Sequence, residues 1–145
     1  MFLDASAIVA IVARESDADY LLSKIEGASD GRFYSSLSVF ESVASLARRI
    51  TNTAKGDQAS VPPEIVDHAQ QTVYEFLAQI DAKELAIEGD AHRTAIEACR
   101  TYGRLVAHPA RLNLGDCFAY ASARSAGLPL LYKGNDFSQT DIEAA

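Results

Sequence analysis

Short apolar runs alternate along the chain with longer amphipathic stretches. Four of the runs are typical of strands because they are brief and rich in apolar or aromatic residues. They are "MFLD" at Met1–Asp4, "RFYSS" at Arg32–Ser36, "ELAIE" at Glu84–Glu88 and "LPLLYKG" at Leu128–Gly134. The sequence therefore predicts four short strands, the first of them at the very start of the chain.

The longer stretches predict helices because their apolar residues recur at helical spacing. The predicted helices are Asp17–Glu26, Leu37–Ile50, Glu64–Ile80, Gly89–Tyr102 and Asn113–Ala126. The apolar residues of Ile8–Val12 continue from the first strand as a helix or a turn. The polar stretch Thr51–Pro63 is interrupted by Gly56 and two prolines, and therefore predicts a loop.

This alternation of strands and helices predicts an α/β fold with a parallel central sheet of short strands. A length of 145 residues suits one domain, which we expect to span residues 1–145 and to bury a core without disulfides. The sequence contains no GxGxxG and no GxxxxGK[ST] motif, so it does not support a loop that cradles a nucleotide.

Charge and cysteine content narrow the class of protein. The net charge is −7 and the pI is about 4.8, which argues against a surface that coats nucleic acids in general. A nuclease stays compatible, because clustered site carboxylates add to the negative charge and a divalent cation would offset it. The two cysteines lack a zinc-site spacing and indicate buried thiols in a reducing compartment. With no signal-peptide pattern and no apolar run that could cross a membrane, the sequence predicts a cytoplasmic protein.

Four carboxylates fall where strands are predicted to end or where the following helices begin. They are Asp4, Glu41, Asp116 and Asp136. Open α/β sheets bind ligands outside the carboxyl ends of their strands, so we expect the topology to bring all four to one edge. Clustered carboxylates repel one another, and they persist only with a cation or with raised pKa values.

The cation that suits such a cluster is Mg²⁺, with Mn²⁺ as the alternative, because both prefer oxygen ligands. The three histidines have no convincing metal-site spacing, which argues against zinc. Since Mg²⁺ often uses only one or two direct carboxylates, the hypothesis is direct ligation by Asp4 and Asp116. Glu41 and Asp136 would act through bound water, and a metal-activated water would attack a phosphodiester. Ser6 is interpreted as a hydrogen-bond partner rather than a nucleophile.

Each of these acids also has a purely structural interpretation. The segments "SVFE", which ends at Glu41, and "NLGD", which ends at Asp116, fit capping boxes. Asp4 is placed to cap the following helix, and Asp136 to lie in a surface turn. Taken singly, the structural interpretation is favoured for each acid, and only their joint placement favours a site. Five basic residues are likewise either solvated charges or contacts to RNA phosphates: Arg48, Arg49, Arg104, Arg111 and Lys133.

Four stretches resemble those of one known family, in the family's order and over essentially the whole chain. They are "MFLDASAIVAIVARE", "SSLSVFESVASLARR", "HPARLNLGDCFAYASAR" and "LPLLYKGNDFSQTDI". The family is that of PIN-domain ribonucleases and, within it, the VapC-type toxins of bacterial type II toxin–antitoxin pairs. The last two stretches are the most specific, because such toxins typically carry "LN-x-GDC-x-AYA" followed by "KG-[ND]-DF-x-x-TD".

The resemblance implies a three-layer α/β/α PIN-like fold and Mg²⁺-dependent cleavage of RNA. The acidic quartet that it implies falls on Asp4, Glu41, Asp116 and Asp136. The positions that it implies as support for the quartet are Ser6, Asn113, Asn135 and Asp141. It also implies a homodimer, and a cognate antitoxin that blocks the site within a heterotetramer or a larger complex. Thr51–Pro63 matches no family motif, and variation in substrate preference is one interpretation of that stretch.

Two other functions stay open at this point. One is a metal-dependent nuclease that processes RNA or DNA in a housekeeping role, and the other is a catalytically silent PIN-like module that only binds a partner. The intact quartet argues against the silent module, because binding alone needs no crowded carboxylates. A receiver-type phosphoacceptor domain has still less support, since it needs paired acids after its first strand and the sequence offers only Lys133 after the last.

Overall fold

A parallel sheet forms the centre of the computed structural model, which describes residues 1–145. Its four strands are β1 Phe2–Leu3, β2 Phe33–Tyr34, β3 Lys83–Glu84 and β4 Leu130–Leu131. They lie in the order β3-β2-β1-β4, and every neighbouring pair is parallel. Phe2 of β1 pairs with Phe33 of β2 and with Leu130 of β4. The predicted parallel sheet of short strands is therefore confirmed.

Six helices pack around this sheet, and each predicted helix is present. They are α1 Ala5–Val12, α2 Ala18–Glu26, α3 Ser36–Lys55, α4 Pro63–Gln79, α5 Ala91–Tyr102 and α6 Leu114–Ala126. The run Ile8–Val12, interpreted as a helix or a turn, is helical and belongs to α1. Two short 3₁₀ turns, Arg104–Val106 and Phe137–Gln139, are not predicted by the sequence pattern.

Helix α3 continues beyond its predicted end, so the loop predicted for Thr51–Pro63 is wrong in its first five residues. Thr51 is buried, and its hydroxyl donates to the carbonyl of Ala47 at 3.0 Å. The hydroxyl of Thr53 donates to the carbonyl four residues earlier in the same way. These polar residues are compatible with the helix here, because their hydroxyls find acceptors among its own carbonyls. The helix ends at Gly56, whose φ of 84° is readily adopted by glycine.

The strand predicted at Glu84–Glu88 is also shifted, to Lys83–Glu84. Its backbone pairing with β2 fixes the position of the strand, since the N–H groups of Lys83 and Leu85 each donate to a backbone carbonyl of the β2 segment at 2.8 Å. Strand β2 ends at Tyr34 and the chain then turns into α3, so the later residues of the predicted strand have no partner. The apolar pattern of "ELAIE" therefore predicts a longer strand than the structure contains.

Two hydrophobic cores lie on opposite faces of the sheet. Neighbouring strand residues point to opposite faces, and here Leu3 and Leu131 join one core while Phe2 and Leu130 join the other. The first core packs the sheet against α1 to α4, and the second packs it against α5 and α6. This is the three-layer α/β/α arrangement that the resemblance implies.

Two expectations from composition concern membranes and thiols. The structure has no helix with both the length and the apolar character needed to cross a membrane. Both cysteines are free; Cys117 is buried and Cys99 is half-buried. The chain therefore builds its cores without a disulfide.

The parallel topology brings the predicted site segments to one edge of the sheet. Asp4 follows β1 directly, and α3, which carries Glu41, begins soon after β2. The segment Lys133–Asp136 follows β4, and the first turns of α6 carry Asp116 on a helix that contacts α3. All four acids therefore lie on segments near the carboxyl ends of the central strands, where ligands bind in such sheets.

Candidate active site

Asp4 is buried at the end of β1 and caps helix α1. The residue is 3% exposed, and its carboxylate accepts a hydrogen bond from the backbone N–H of Ser6 at 2.9 Å and another from the Ser6 hydroxyl. Burial raises the pKa of Asp4; the hydrogen bonds from Ser6 oppose that rise, and the charge of Asp136 adds to it. The predicted cap and the predicted role of Ser6 as a hydrogen-bond partner are both confirmed.

Ser6 also ties this carboxylate to the opposite segment of the edge. Its hydroxyl accepts a hydrogen bond from the backbone N–H of Lys133 at 2.9 Å while it donates to Asp4. The residues that follow β1 and β4 are therefore held together through one side chain. This bond fixes the position of the buried carboxylate relative to the segment that carries Asp136.

Glu41 is positioned by a different cap from the one that its sequence suggests. Ser35 is the N-cap of α3, and its hydroxyl accepts from the backbone N–H of Ser38 at 3.2 Å. The capping box predicted for "SVFE" is therefore wrong, because Ser38 already lies inside the helix. The carboxylate of Glu41 accepts no hydrogen bond in the structure. Its pKa is raised to about 7, first by burial and then by the charges of Asp4 and Asp116.

Gly115 gives the Glu41 carboxylate room to sit against helix α6. A Cβ atom placed on Gly115 would overlap with both carboxylate oxygens of Glu41. Any side chain here would therefore displace the acid, so glycine is required by close approach rather than by its backbone angles. Sequence reasoning missed this residue; the signal that could have found it is a glycine inside the first turn of an otherwise regular helix.

Asp116 is held by the capping box that the sequence predicts. The side-chain oxygen of Asn113 accepts from the backbone N–H groups of Gly115 at 2.7 Å and of Asp116 at 3.1 Å. One oxygen of Asp116 accepts from the backbone N–H of Asn113 at 2.7 Å, and the other has no protein donor. Burial raises the pKa of Asp116 to about 6, with further increases from Asp4 and Asp136 and a decrease from Arg104. The cap fixes one oxygen and leaves the other for a ligand.

Asp136 lies at the rim of this cluster. It is exposed, as the predicted surface turn requires, and directly precedes the 3₁₀ turn Phe137–Gln139 without capping it. Its charge raises the pKa of both Asp4 and Asp116, which shows that it lies within electrostatic reach of them. The structure therefore brings three predicted acids together and places the fourth beside them.

Asp4, Glu41 and Asp116 line one pocket of about 290 Å³, and Asp136 lies outside its lining. Its polar lining includes Asp4, Ser6, Glu41, Asn113 and Asp116, together with Glu15 and Lys133. Sequence reasoning missed Glu15, a fifth carboxylate, which contacts the ammonium of Lys133 and the guanidinium of Arg49. Glu15 is thus paired with cations, whereas the predicted acids are not.

Two residues that the resemblance implies as support lie outside the pocket. Asp141 accepts from the hydroxyl of Tyr120 at 2.6 Å and from Arg124 at 2.8 Å. Its pKa is lowered to about 2, chiefly by the Tyr120 hydrogen bond and then by Arg124. Asn135 is exposed, and its backbone carbonyl accepts from the hydroxyl of Ser138. Neither residue forms a side-chain hydrogen bond with any of the four acids, although Asn135 directly precedes Asp136 in the chain.

The donor set of the pocket fits a hard divalent cation. None of Asp4, Glu41, Asp116 and Asp136 forms a salt bridge with a basic side chain. Their oxygens are the ligand type that Mg²⁺ and Mn²⁺ prefer. No three His, Cys, Asp or Glu side chains are arranged closely enough to hold a metal together. The residues therefore fit an ion held directly by one or two carboxylates and otherwise by water, as is common for Mg²⁺.

The chain matches one known protein family and several known relatives. The PIN domain profile matches residues 1–143. A VapC ribonuclease of Rhizobium meliloti is 41% identical over 143 residues, which covers 97% of this chain and 98% of the relative. Ribonuclease VapC42 of Mycobacterium tuberculosis is 39% identical over 145 residues, covering 100% of this chain and 98% of the relative.

A solved structure shares the fold. The crystal structure of Mycobacterium tuberculosis VapC20, described as a sarcin-ricin loop cleaving toxin, matches with a TM-score of 0.68. The match covers 99% of this chain and 97% of the solved chain, at 16% sequence identity. At that identity the likeness concerns the fold alone.

Proposed function

Because this chain belongs to the PIN-domain family, we propose that it is a Mg²⁺-dependent endoribonuclease and the toxin of a type II toxin–antitoxin pair. The observation that carries the proposal is the pocket, which brings Asp4, Glu41 and Asp116 together without a neutralising cation. Relatives named as VapC ribonucleases match this chain over almost their full length, which supports RNA as the substrate.

Asp4 and Asp116 are the proposed direct ligands of Mg²⁺, or of Mn²⁺ in its place. Each has one carboxylate oxygen engaged by the protein, through Ser6 or through the capping box, and this engagement orients the other oxygen. Glu41 and Asp136 are proposed to act through water. When bound, the ion would supply a water of lowered pKa and a positive charge beside the scissile phosphate.

The protein's own groups prepare this site in distinct ways. Ser6 holds the Asp4 carboxylate, and Asn113 holds that of Asp116, so neither acid has to be ordered when the substrate binds. Glu41 has both oxygens free of protein donors, and it is suited to accept a hydrogen bond from the attacking water. Gly115 keeps Glu41 in position by offering no side chain that would displace it.

A cognate antitoxin and a homodimer complete the proposal. They rest on the VapC relatives and are tested separately from the chemistry. We expect a dimer in size-exclusion chromatography with light scattering. We also expect a short open reading frame beside the gene whose product copurifies with this chain and inhibits it. A chain that cleaves RNA but has no such neighbour would be a processing nuclease rather than a toxin.

The central test is single-turnover cleavage of RNA with Mg²⁺ and then with EDTA. Wild type should cleave with Mg²⁺ and stop with EDTA, and Asp116→Asn should cleave at least roughly 100-fold more slowly, because a ligand to the cation is weakened. Asp90→Asn, an exposed carboxylate far from the pocket lining, is the matched control and should cleave normally. Equal cleavage by wild type and Asp116→Asn would rule out the site.

A further inference from the structure

Lys133 is the one basic residue that lines the acidic pocket. Its ammonium contacts the carboxylate of Glu15 and lies 3.6 Å from that of Asp17. The side chain is 30% exposed, so it is accessible from solvent while its position is restricted. A cation therefore stands at the wall of a pocket whose other charged groups are carboxylates.

Contacts on both sides fix the position of this ammonium. The backbone N–H of Lys133 donates to the hydroxyl of Ser6, which in turn donates to Asp4. Glu15 is only 15% exposed in its side chain, and Arg49 holds it from the other side at 2.6 Å. The distance between the ammonium and the acidic cluster is thus set by a continuous series of polar contacts through the protein.

Other basic residues near the site are arranged differently. Arg49 contacts Glu15 from helix α3 and is not part of the pocket lining. Arg104 lowers the pKa of Asp116 from the loop between α5 and α6, and it too lies outside the lining. Lys133 is therefore the basic residue best placed to meet a group that enters the pocket.

An RNA chain that enters this pocket brings phosphates towards unneutralised carboxylates. Part of that repulsion is offset by a bound cation, and a fixed ammonium beside the cluster offsets more. A lysine ammonium has three N–H donors. With Glu15 and Asp17 as its acidic neighbours, the ammonium keeps a donor for a phosphate oxygen.

We propose that Lys133 binds a backbone phosphate of the RNA beside the bond that is cleaved, and that Glu15 is a positioning residue that holds the lysine at the pocket wall. The inference rests on the proposed ribonuclease function and specifies how its substrate is held. Glu15 is not a further metal ligand, because Arg49 and Lys133 already neutralise it.

Binding of a short, fluorescein-labelled single-stranded RNA of mixed sequence tests the first half. Fluorescence anisotropy is measured over a series of NaCl concentrations, with Asp116→Asn as the parent so that the probe is not cleaved. Lys133→Gln should weaken binding about three- to tenfold and lower the magnitude of the salt slope by about 0.7, the value for one contact to single-stranded nucleic acid. Lys133→Arg should restore most of both.

The matched control is Arg93→Gln in the same parent. Arg93 is an exposed arginine on α5 that pairs with Asp90, so its loss changes the net charge equally but far from the pocket lining. Binding by the Arg93→Gln variant should equal that of the parent. Thermal unfolding followed by circular dichroism confirms that each variant is folded before binding is compared.

Glu15→Gln tests the second half through the direction of its effect. Losing a negative charge beside the site would, by itself, strengthen RNA binding. If Glu15 holds Lys133, the substitution should instead weaken binding by about two- to threefold. It should add nothing when Lys133→Gln is already present, because coupled residues are not additive. Stronger binding by Glu15→Gln, or an additive loss, would overturn the positioning role.

Two negative results have different meanings. If wild type cleaves RNA and Lys133→Gln matches the parent in affinity and salt slope, the phosphate contact is wrong and the proposed ribonuclease stands. If wild type does not cleave and the Asp116→Asn parent does not bind the RNA probe, the proposed function fails and this inference fails with it.

Discussion

Two acidic regions lie along helix α6 and have opposite electrostatic surroundings. Near its start, Asp116 is half-buried beside Asp4 and Glu41, forms no salt bridge, and has its pKa raised to about 6. Further along, Asp141 packs onto the helix through Tyr120 and Arg124, and its pKa is lowered to about 2. Asp116 and its acidic neighbours have no basic side chain paired with them, whereas Asp141 is paired with Arg124.

This difference separates acids that are suited to a bound cation from acids that stabilise the fold. A carboxylate paired within the chain contributes to stability and needs no cation from outside the chain. A buried carboxylate without a partner costs stability, and that cost is offset only when a proton or a cation arrives. Perturbed pKa values of the second kind are typical of functional sites. Both Asp116 and Asp141 match family positions in sequence, and only their surroundings distinguish them.

The largest expected effect comes from comparing Asp4→Asn with Asp141→Asn, which should shift the melting temperature in opposite directions. Asp4→Asn should reduce Mg²⁺-dependent cleavage by at least roughly 100-fold, and it should raise the melting temperature of the metal-free protein near neutral pH because a buried charge is removed. Asp141→Asn should lower the melting temperature because it weakens the hydrogen bonds from Tyr120 and Arg124, and it should leave cleavage within about threefold of wild type because Asp141 lies outside the pocket. A paired measurement of cleavage rate and thermal unfolding decides. Loss of activity in both variants, or a melting temperature of Asp4→Asn below that of wild type, would contradict this distinction between the two acids.

Gly115→Ala tests whether the position of Glu41 matters as much as its charge. The added methyl group overlaps with the Glu41 carboxylate, so that side chain has to move. We expect roughly 10- to 100-fold slower cleavage with little change in stability, because the overlapping atoms are the free end of a flexible side chain that can shift, and alanine favours a helix over glycine. Ala126→Gly, at the exposed end of the same helix, changes the same methyl group three turns away from Gly115 and serves as the control for helix propensity. Full activity in Gly115→Ala would show that Glu41 is dispensable.

The pH dependence of metal-free stability should separate the two clusters. Glu41 and Asp116 have raised pKa values, so between pH 4 and their folded values of about 7 and about 6 the folded state holds protons that the unfolded chain has lost. Their contribution is therefore present at low pH and is lost as the pH rises through that window. For Glu41 the loss is on the order of 1–2 kcal/mol after allowance for solvent screening.

The measurement is chemical unfolding in EDTA across this pH range. In Glu41→Gln the decline in the free energy of unfolding with rising pH should become shallower. Asp141 has the opposite sign, because its lowered pKa contributes stability that is lost only as the pH falls towards about 2. A decline that is unchanged in Glu41→Gln would mean that the acid titrates normally in the metal-free protein.

The smallest expected effect concerns the capping box of α6. Asn113→Ala removes the side-chain acceptor for two backbone N–H groups and should cost about 1 kcal/mol of stability. The backbone N–H of residue 113 still donates to the Asp116 carboxylate in this variant, but the helix start that carries Asp116 loosens without the side-chain cap, so we expect cleavage to fall several-fold. Asn113→Ser keeps a cap and should recover most of the stability. Normal cleavage in Asn113→Ala would limit Asn113 to a structural role.

Much of the fold could be predicted because it is written in local patterns. Helix periodicity located α4 and α6, and the acids at strand ends followed from parallel topology together with the family resemblance. The end of α3 could not be predicted, since Thr51 and Thr53 are poor helix formers that bond back onto the helix only once it exists. The length of β3 depended on where its partner strand ended, which is information from elsewhere in the chain.

The site was predictable in its acids and not in their surroundings. The box at Asn113 and Asp116 is local, so the sequence revealed it. The approach of Glu41 to Gly115 joins two helices, and the contact of Glu15 with Lys133 joins distant segments. Neither contact produces a residue spacing that could be recognised in the sequence. The same limit explains why the sequence predicts a cap at Ser38, whereas Ser35 occupies the N-cap position of α3 in the structure.

The cluster around Asp141 also bears on how this protein avoids aggregation. A sheet of such short strands has two open edges, and unpaired edges invite strands of other molecules. Along β4, Leu130 pairs with the segment around Ala144, through hydrogen bonds of 2.8 Å from its N–H and 3.0 Å to its carbonyl. The contacts of Asp141 with α6 hold that segment in place, and the opposite edge, β3, is short and carries an exposed Lys83 and Glu84. Loss of the Asp141 contacts should therefore expose the β4 edge to pairing with other molecules before it unfolds the protein.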